Sequence, residues 1–392
     1  MDNISNRSPA GRLNLLFDRK CPPITDQRYL LGLRGFLVIQ AFIWVFLQTF
    51  VPAAVKDSNN TTGPNYQIII RKTLSVFFWN ESLLYSAFIL LSARTICIPF
   101  LQNSTKTSVA SACFRRGLRL WVPVTAALAI VKITFDRTGM DYIAHFQQAT
   151  ENVSFVVPYP LSSTLVYFNS VFNLFWTTFN FSTQAGSRAF PAQTLWVVNV
   201  IYTQSYTVYM TMIIIPYTRA RWRVEAATVF ILTAWWVQSW AWYTITGLLL
   251  ADAVQNMDFK ASARRGVPIW RTPVRVPLWV VYTFLMAAGV TWQYFEVIWR
   301  PANANIELEG DLGSYFTGGF SGGLDTNLNF IQPQARDDNY PLLVGFFLLL
   351  ESSDLVQRLF ENRLFVYLGS RSLSKSFTPE QLCRSIALRT LD

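Results

Sequence analysis

LGLRGFLVIQAFIWVFLQTFV, residues 31–51, holds a single charged side chain, Arg34, in 21 positions. A helix needs ~20 predominantly apolar residues to cross ~30 Å of hydrocarbon, and the run shows no strand-like alternation of polar and apolar residues. It reads as a transmembrane helix. Further long apolar runs lie at Thr73–Leu101, Leu118–Phe135, Thr194–Tyr217 and Val276–Trp299, with a last one at Tyr340–Leu359. The stretch Val224–Val254 is too long for one straight span and too short for two full ones. A hairpin of two short helices, turning near residues 238–241, is expected there. The fold class is therefore all-α, a polytopic transmembrane helix bundle of about eight spans.

Composition agrees. Of 392 residues, 52% are hydrophobic, 16% aromatic and 14% charged, whereas a soluble domain carries about 25% charged residues. Disorder, collagen, a disulfide scaffold and a soluble nucleic-acid binder are excluded on these figures, so the partner to expect is the lipid bilayer and no nucleic acid. The net charge of +10 bears on topology, because Lys/Arg excess marks loops left in the cytosol. Arg115, Arg116 and Arg119 fall on that side, as do Arg219, Arg221 and Arg223, and so does the run from Lys260 to Arg275. Sequons test the arrangement independently, since glycosylation needs a luminal Asn. Asn60, Asn152 and Asn180 fall in loops that are luminal if the N-terminus is cytosolic, and are the expected glycan sites. Asn80 and Asn103 are expected unmodified. Both termini are placed in the cytosol, in an endomembrane or the plasma membrane.

Three regions are expected: a cytosolic tail over 1–27, a transmembrane domain over 28–374, and a polar tail over 375–392. No apolar core precedes Leu31, so the first helix serves as signal anchor. Cys21, Cys97, Cys113 and Cys383 are placed for no disulfide. Leu161–Phe181, interrupted by Asn169, Asn173 and Asn180, suits an interfacial or re-entrant helix. The Gly-rich segment Arg300–Asn339 reads as a flexible loop or a lid.

Ionisable residues in apolar runs cost roughly 2.5–3.5 kcal/mol each on insertion scales, so each asks for a reason. Arg34, Glu81, Arg94, Asp252, Glu296, Glu351 and Asp354 are the cases. Glu81 and Arg94 are thirteen residues apart, roughly 20 Å along a helix, and must find partners on other helices. Arg116 and Arg119 share a helical face, and two guanidinium groups at that spacing suit phosphate oxygens. The same Arg cluster also serves as a topology signal without any ligand. His145, the one histidine, is either a solvated loop residue or a base. No Cys/His metal pattern, phosphate loop or GxSxG elbow is found, and no metal is expected.

Several segments together resemble the membrane-bound acyltransferase 3 family in its fungal branch. Arg28-Tyr29-Leu30-Leu31-Gly32-Leu33-Arg34-Gly35 is similar to its opening "GLRG". Phe88-Ile89-Leu90-Leu91-Ser92-Ala93-Arg94 is similar to "FxLSG", with Ala93 for the usual Gly, and Arg116-Gly117-Leu118-Arg119 to RxxR. Leu195-Trp196 with Gln204-Ser205-Tyr206, then Gly247 to Asp252, then Glu361 to Gly369 resemble "LWT", "GxLLAD" and "LxxLG". The resemblance implies about ten transmembrane helices. It also implies O-acyl transfer from a cytosolic acyl-CoA to a hydroxyl of a sugar, lipid or secondary metabolite, with no bound cofactor. Arg34, Arg94, Arg115, Arg116 and Arg119 are the implied donor-binding residues. The family's first-helix histidine, taken as the base, is Val45 here, and its fourth-helix carboxylate has no counterpart. Another proton acceptor is then needed, with His145, Glu81 and Glu296 as candidates. The alternatives are an inactive relative that binds acyl donor or lipid, and a small-molecule transporter. The family continues into further helices after Gly369, whereas residues 370–392 are too polar to span, so a tail that replaces missing helices is expected.

Overall fold

The computed structural model describes residues 27–371 except 57, 59, 61, 103–104, 151, 153–156, 179–180, 191–192, 238, 269–274, 300–332 and 334. Both tails, Asn180, Asn103 and most of the Gly-rich segment thus lie outside the described residues. What is described is a helix bundle with one two-residue β-ribbon.

Helix α1 (Arg28–Phe50) follows the first apolar run. Two short helices come next, α2 (Asn65–Lys72) and α3 (Ser75–Phe78). The second run, expected as one span, divides. Asn80 caps a new helix, α4 (Glu81–Ile96), by accepting from the Leu83 amide, which satisfies an N–H the helix start leaves over. Pro99, in α5 (Ile98–Gln102), cannot bond the carbonyl four residues back, so the helix is interrupted at Cys97. Glu81 accordingly sits in a first helical turn, where the helix dipole favours a carboxylate.

The 33-residue α6 (Lys106–Thr138) begins well before Leu118, so Arg116 and Arg119, expected on one helical face at the mouth of this span, lie with Arg115 on the helix itself. Three shorter helices follow: α7 (Asp141–Thr150), α8 (Thr164–Trp176) and α9 (Ala185–Ala189). At 13 residues α8 measures ~20 Å, too short to span straight across. After α10 (Trp196–Ile214) come α11 (Ala220–Trp236) and α12 (Ala241–Asn256), the expected hairpin. A short α13 (Phe259–Arg265) and the antiparallel β1 (Val267–Pro268) and β2 (Arg275–Val276) lead to α14 (Leu278–Trp299).

The final run breaks at Ser353, whose backbone is extended, into α15 (Asn339–Ser352) and α16 (Asp354–Phe360). The Gln357 side chain donates to the Leu350 carbonyl that the break releases. The last described helix, α17 (Arg363–Arg371), lies against α1. A Cβ at Gly35 would collide with the Phe365 carbonyl, and one at Gly369 with that of Leu31, so two of the sequence motifs meet here because only glycine lets the backbones approach.

Four stretches are long and apolar enough to cross a membrane: Arg28–Phe50, Ser75–Gln102, Val109–Arg137 and Leu278–Phe295. Of the about eight spans expected, these four are long and apolar enough among the described residues. The apolar window of Ser75–Gln102 is 72% buried, against 17% for those in α6 and α14, which puts α4 at the centre and the other two at the periphery. Phe42, Phe46 and Phe50 of α1 and Phe284 of α14 face outward, as suits a hydrocarbon solvent and not water.

One end of the bundle holds the start of α1 and the ends of α4, α12 and α15; we call it the Tyr29 end. The opposite, Gln48 end is tied by polar contacts. Lys56 pairs with Asp338 at 3.5 Å, Trp235 Nε1 donates to Asp337 at 2.8 Å, and Asn152 Nδ2 donates to the carbonyls of Gln48 and Thr49 at 3.0 and 3.1 Å.

Candidate anion-binding site

Three segments distant in sequence converge on Arg116. Its Nε donates to Ser205 Oγ of α10 at 3.0 Å, and its Nη2 donates to Ser92 Oγ of α4 at 2.8 Å. The Ser205 hydroxyl donates in turn to the carbonyl of Ile201. Between α4, α10 and α12, and bordered by both of these serines, lies a cavity about the size of a water molecule. Ile89, Ser92, Ile201, Gln204, Ser205 and Thr244 line it. Arg119 follows one turn later on the same face of α6, its Nε buried. Arg34 of α1 is half-buried and, like Arg119, close enough to repel Arg116 as a like charge. Among the described residues no carboxylate forms an ion pair with Arg34, Arg116 or Arg119. Arg115 is exposed on another face and takes no part in the cluster.

Arg94 corrects the sequence reading. Fully buried, it donates through Nε to Glu351 Oε1 at 3.0 Å, and Tyr29 donates to the other oxygen of that carboxylate at 2.6 Å. Through Nε the guanidinium ties α1, α4 and α15 together, and its Nη1 and Nη2 are buried without a hydrogen-bond partner among the described residues. Glu351 was noticeable as an acid in an apolar run. Its pairing with a residue 257 positions away had no local signal, nor did the roles of Ser92 and Ser205.

The three candidate bases are not beside the arginines. His145 is exposed on α7, beyond the far end of α6, and the 22 residues from Arg116 to Thr138 alone measure roughly 33 Å. Glu296 is near the end of α14 at the Gln48 end, past the Gln293–Asn339 hydrogen bond; its side chain is outside the described residues. Glu81 is eleven residues from Ser92 on one helix, about 16 Å. It lies next to Tyr85, whose ring packs edge-on against Trp44 and Trp196.

Asn152 is also corrected. It is 1% exposed, and the nitrogen a glycan would occupy is the one bonded to the Gln48 and Thr49 carbonyls. This fold leaves no room for a glycan there. Asn60 is half-buried, its amide 3.5 Å from Asn152 Oδ1, so both sequons lie at the Gln48 end. Asn80 is fully buried as a helix cap. Among the described residues no three His, Cys, Asp or Glu side chains are grouped to hold a metal ion.

Comparison of the chain with protein families, with curated proteins and with solved structures gave no match.

Proposed function

We propose that the chain is a multi-pass membrane protein of acyltransferase 3 type, with its N-terminus in the cytosol, that binds an acyl-CoA through Arg116, Arg119 and Arg34. One observation carries the reading. Arg94, Arg223 and Lys56 each pair with a carboxylate, while these three arginines share one site without any among the described residues. Such a cluster suits the pyrophosphate of a donor. The basic segments around Arg219 and Lys260 are at the same end, which the positive-inside rule assigns to the cytosol, where acyl-CoA is found. Asn60 at the opposite end agrees with that orientation.

Transfer requires a proton acceptor, and Glu81 fits best of the three candidates. In coenzyme A a long pantetheine arm separates thioester from pyrophosphate, by a length of the same order as the rise from Ser92 to Glu81. The acceptor hydroxyl gives its proton to the Glu81 carboxylate as its oxygen bonds the thioester carbonyl carbon; the C–S bond breaks and the thiolate leaves. The acceptor class stays as broad as a sugar, lipid or secondary-metabolite hydroxyl.

Val45 favours a second reading, a relative that holds the donor without transferring it, because the position of the family base carries an aliphatic side chain. Labelled acyl-CoA given to the purified protein in native membranes tests both. Acyl transfer or donor hydrolysis that disappears in Glu81→Gln, with coenzyme A binding retained, supports transfer. Binding without turnover supports the second reading. Equal coenzyme A affinity in wild type, Arg116→Ala and Arg219→Ala refutes the donor site.

A further inference from the structure

Arg116 is near two like charges, Arg34 and Arg119. With no carboxylate among the described residues to hold it, a long flexible side chain in that position should be pushed toward water. It is held instead by two hydroxyls. We infer that Ser92 and Ser205 are positioning residues that keep the Arg116 guanidinium in the anion site and fix the edge it presents. This rests on the reading of Arg116 as a donor ligand and goes beyond it, because it assigns the recognition geometry to residues that touch no phosphate.

The chemistry of the group decides which edge is free. A guanidinium has five N–H donors in a planar fork. Nε and one hydrogen of Nη2 are committed to Ser205 and Ser92. Nη1 and the second hydrogen of Nη2 remain, so a phosphate is met end-on by the Nη1–Nη2 edge. The Ser205 hydroxyl spends its one hydrogen on the Ile201 carbonyl, which leaves a lone pair for Arg116 and makes it an acceptor set by α10 itself. The Ser92 hydroxyl has Arg116 as its only partner among the described residues. A lysine at 116 has three donors on one atom and no second edge. It can be held by the serines or bind phosphate, and does both poorly.

The test uses the full-length protein in detergent with coenzyme A as probe, and inorganic pyrophosphate and phosphatidylglycerol as competitors to separate a soluble phosphate from a lipid headgroup. Ser92→Ala and Ser92→Ala/Ser205→Ala should weaken coenzyme A binding by about tenfold or more, as expected for losing hydrogen bonds to a charged group. Threonine at both positions should restore it, and Arg116→Lys should stay as weak as Arg116→Ala. Should the double variant fail to fold, Ser92→Ala is decisive, since its hydroxyl serves Arg116 alone. Unchanged affinity in Ser92→Ala beside a loss in Arg116→Ala overturns the positioning role. No loss in Arg116→Ala overturns the donor reading beneath it. Competition by phosphatidylglycerol and not by pyrophosphate keeps the positioning role and makes the anion a lipid headgroup.

Discussion

The interior around Arg94 and the face around Arg116 lie at the same end of the bundle, and each is built on an arginine from an apolar helix. Arg94 is met by a carboxylate that a tyrosine also bonds. Arg116 is met by two serines and two more arginines. A buried charge must be compensated, and neutral hydroxyls satisfy its hydrogen bonds without cancelling the charge. The first arrangement cancels the charge and holds helices together, with Nη1 and Nη2 of Arg94 buried without a hydrogen-bond partner among the described residues. The second keeps its positive charge, with no carboxylate paired to it among the described residues.

Substitutions can break this contrast or sharpen it, because the ion pairs form a series in burial. The largest effect is expected from Glu351→Ala. It strands Arg94, at 0% exposure, and should cost about 3–5 kcal/mol, a large part of a typical stability of ~5–15 kcal/mol. Gel filtration should show loss of the monodisperse species, and adding Arg94→Leu should recover part of it. No recovery in the double variant would mean that the stranded Arg94 charge is not what destabilises Glu351→Ala.

Asp252→Ala comes next. Asp252 accepts from Arg223 at 2.6 Å across the α11–α12 hairpin and also from Asn256. Arg223 is 15% exposed and can turn toward water, so about 1.5–3 kcal/mol is expected, read as a fall in melting temperature. Arg116→Ala should depart from this pattern, with a near-normal melting temperature but coenzyme A affinity lower by roughly tenfold, about 1.4 kcal/mol. If it unfolds the protein as Glu351→Ala does, the contrast between the two arginines fails.

The smallest effect belongs to Asp354→Asn, which removes the clasp that Asp354 of α16 forms with Lys260 and Arg264 of α13. All three side chains are at least 40% exposed, and screening limits the loss to ~1 kcal/mol or less. The hydrogen bond from Lys260, then its charge and that of Arg264, hold the Asp354 carboxyl below its ordinary value. Its contribution is therefore fully present above the ordinary aspartate pKa of ~3.9 and is lost as pH falls below that toward the depressed folded value. Thermal melts of wild type and Asp354→Asn should differ at pH 7 and converge in acid. A difference that persists at pH 2 would show that the clasp is not electrostatic.

Much of the architecture was legible in the chain because membrane insertion is decided by local composition. Twenty apolar residues in a row give a helix wherever they occur, so α1, α10, α14 and the α11–α12 hairpin fall where the apolar runs put them. Breaks inside such runs depend on single residues. The Asn80 cap, Pro99 and Ser353 divide stretches that hydropathy alone joins, and α6 extends into a basic segment because Lys and Arg are good helix formers. The site is a different case. Sequence set Arg34, Arg94, Arg116 and Arg119 on one footing, since each is a cation in or beside an apolar run. Which of them is neutralised depends on residues hundreds of positions away that helix packing brings within 3 Å. Composition determined that this chain is built of long apolar helices and where they run; only the tertiary structure decided which positive charges are paired inside the protein and which, among the described residues, meet no carboxylate, because charge pairing depends on distance in space and not along the chain.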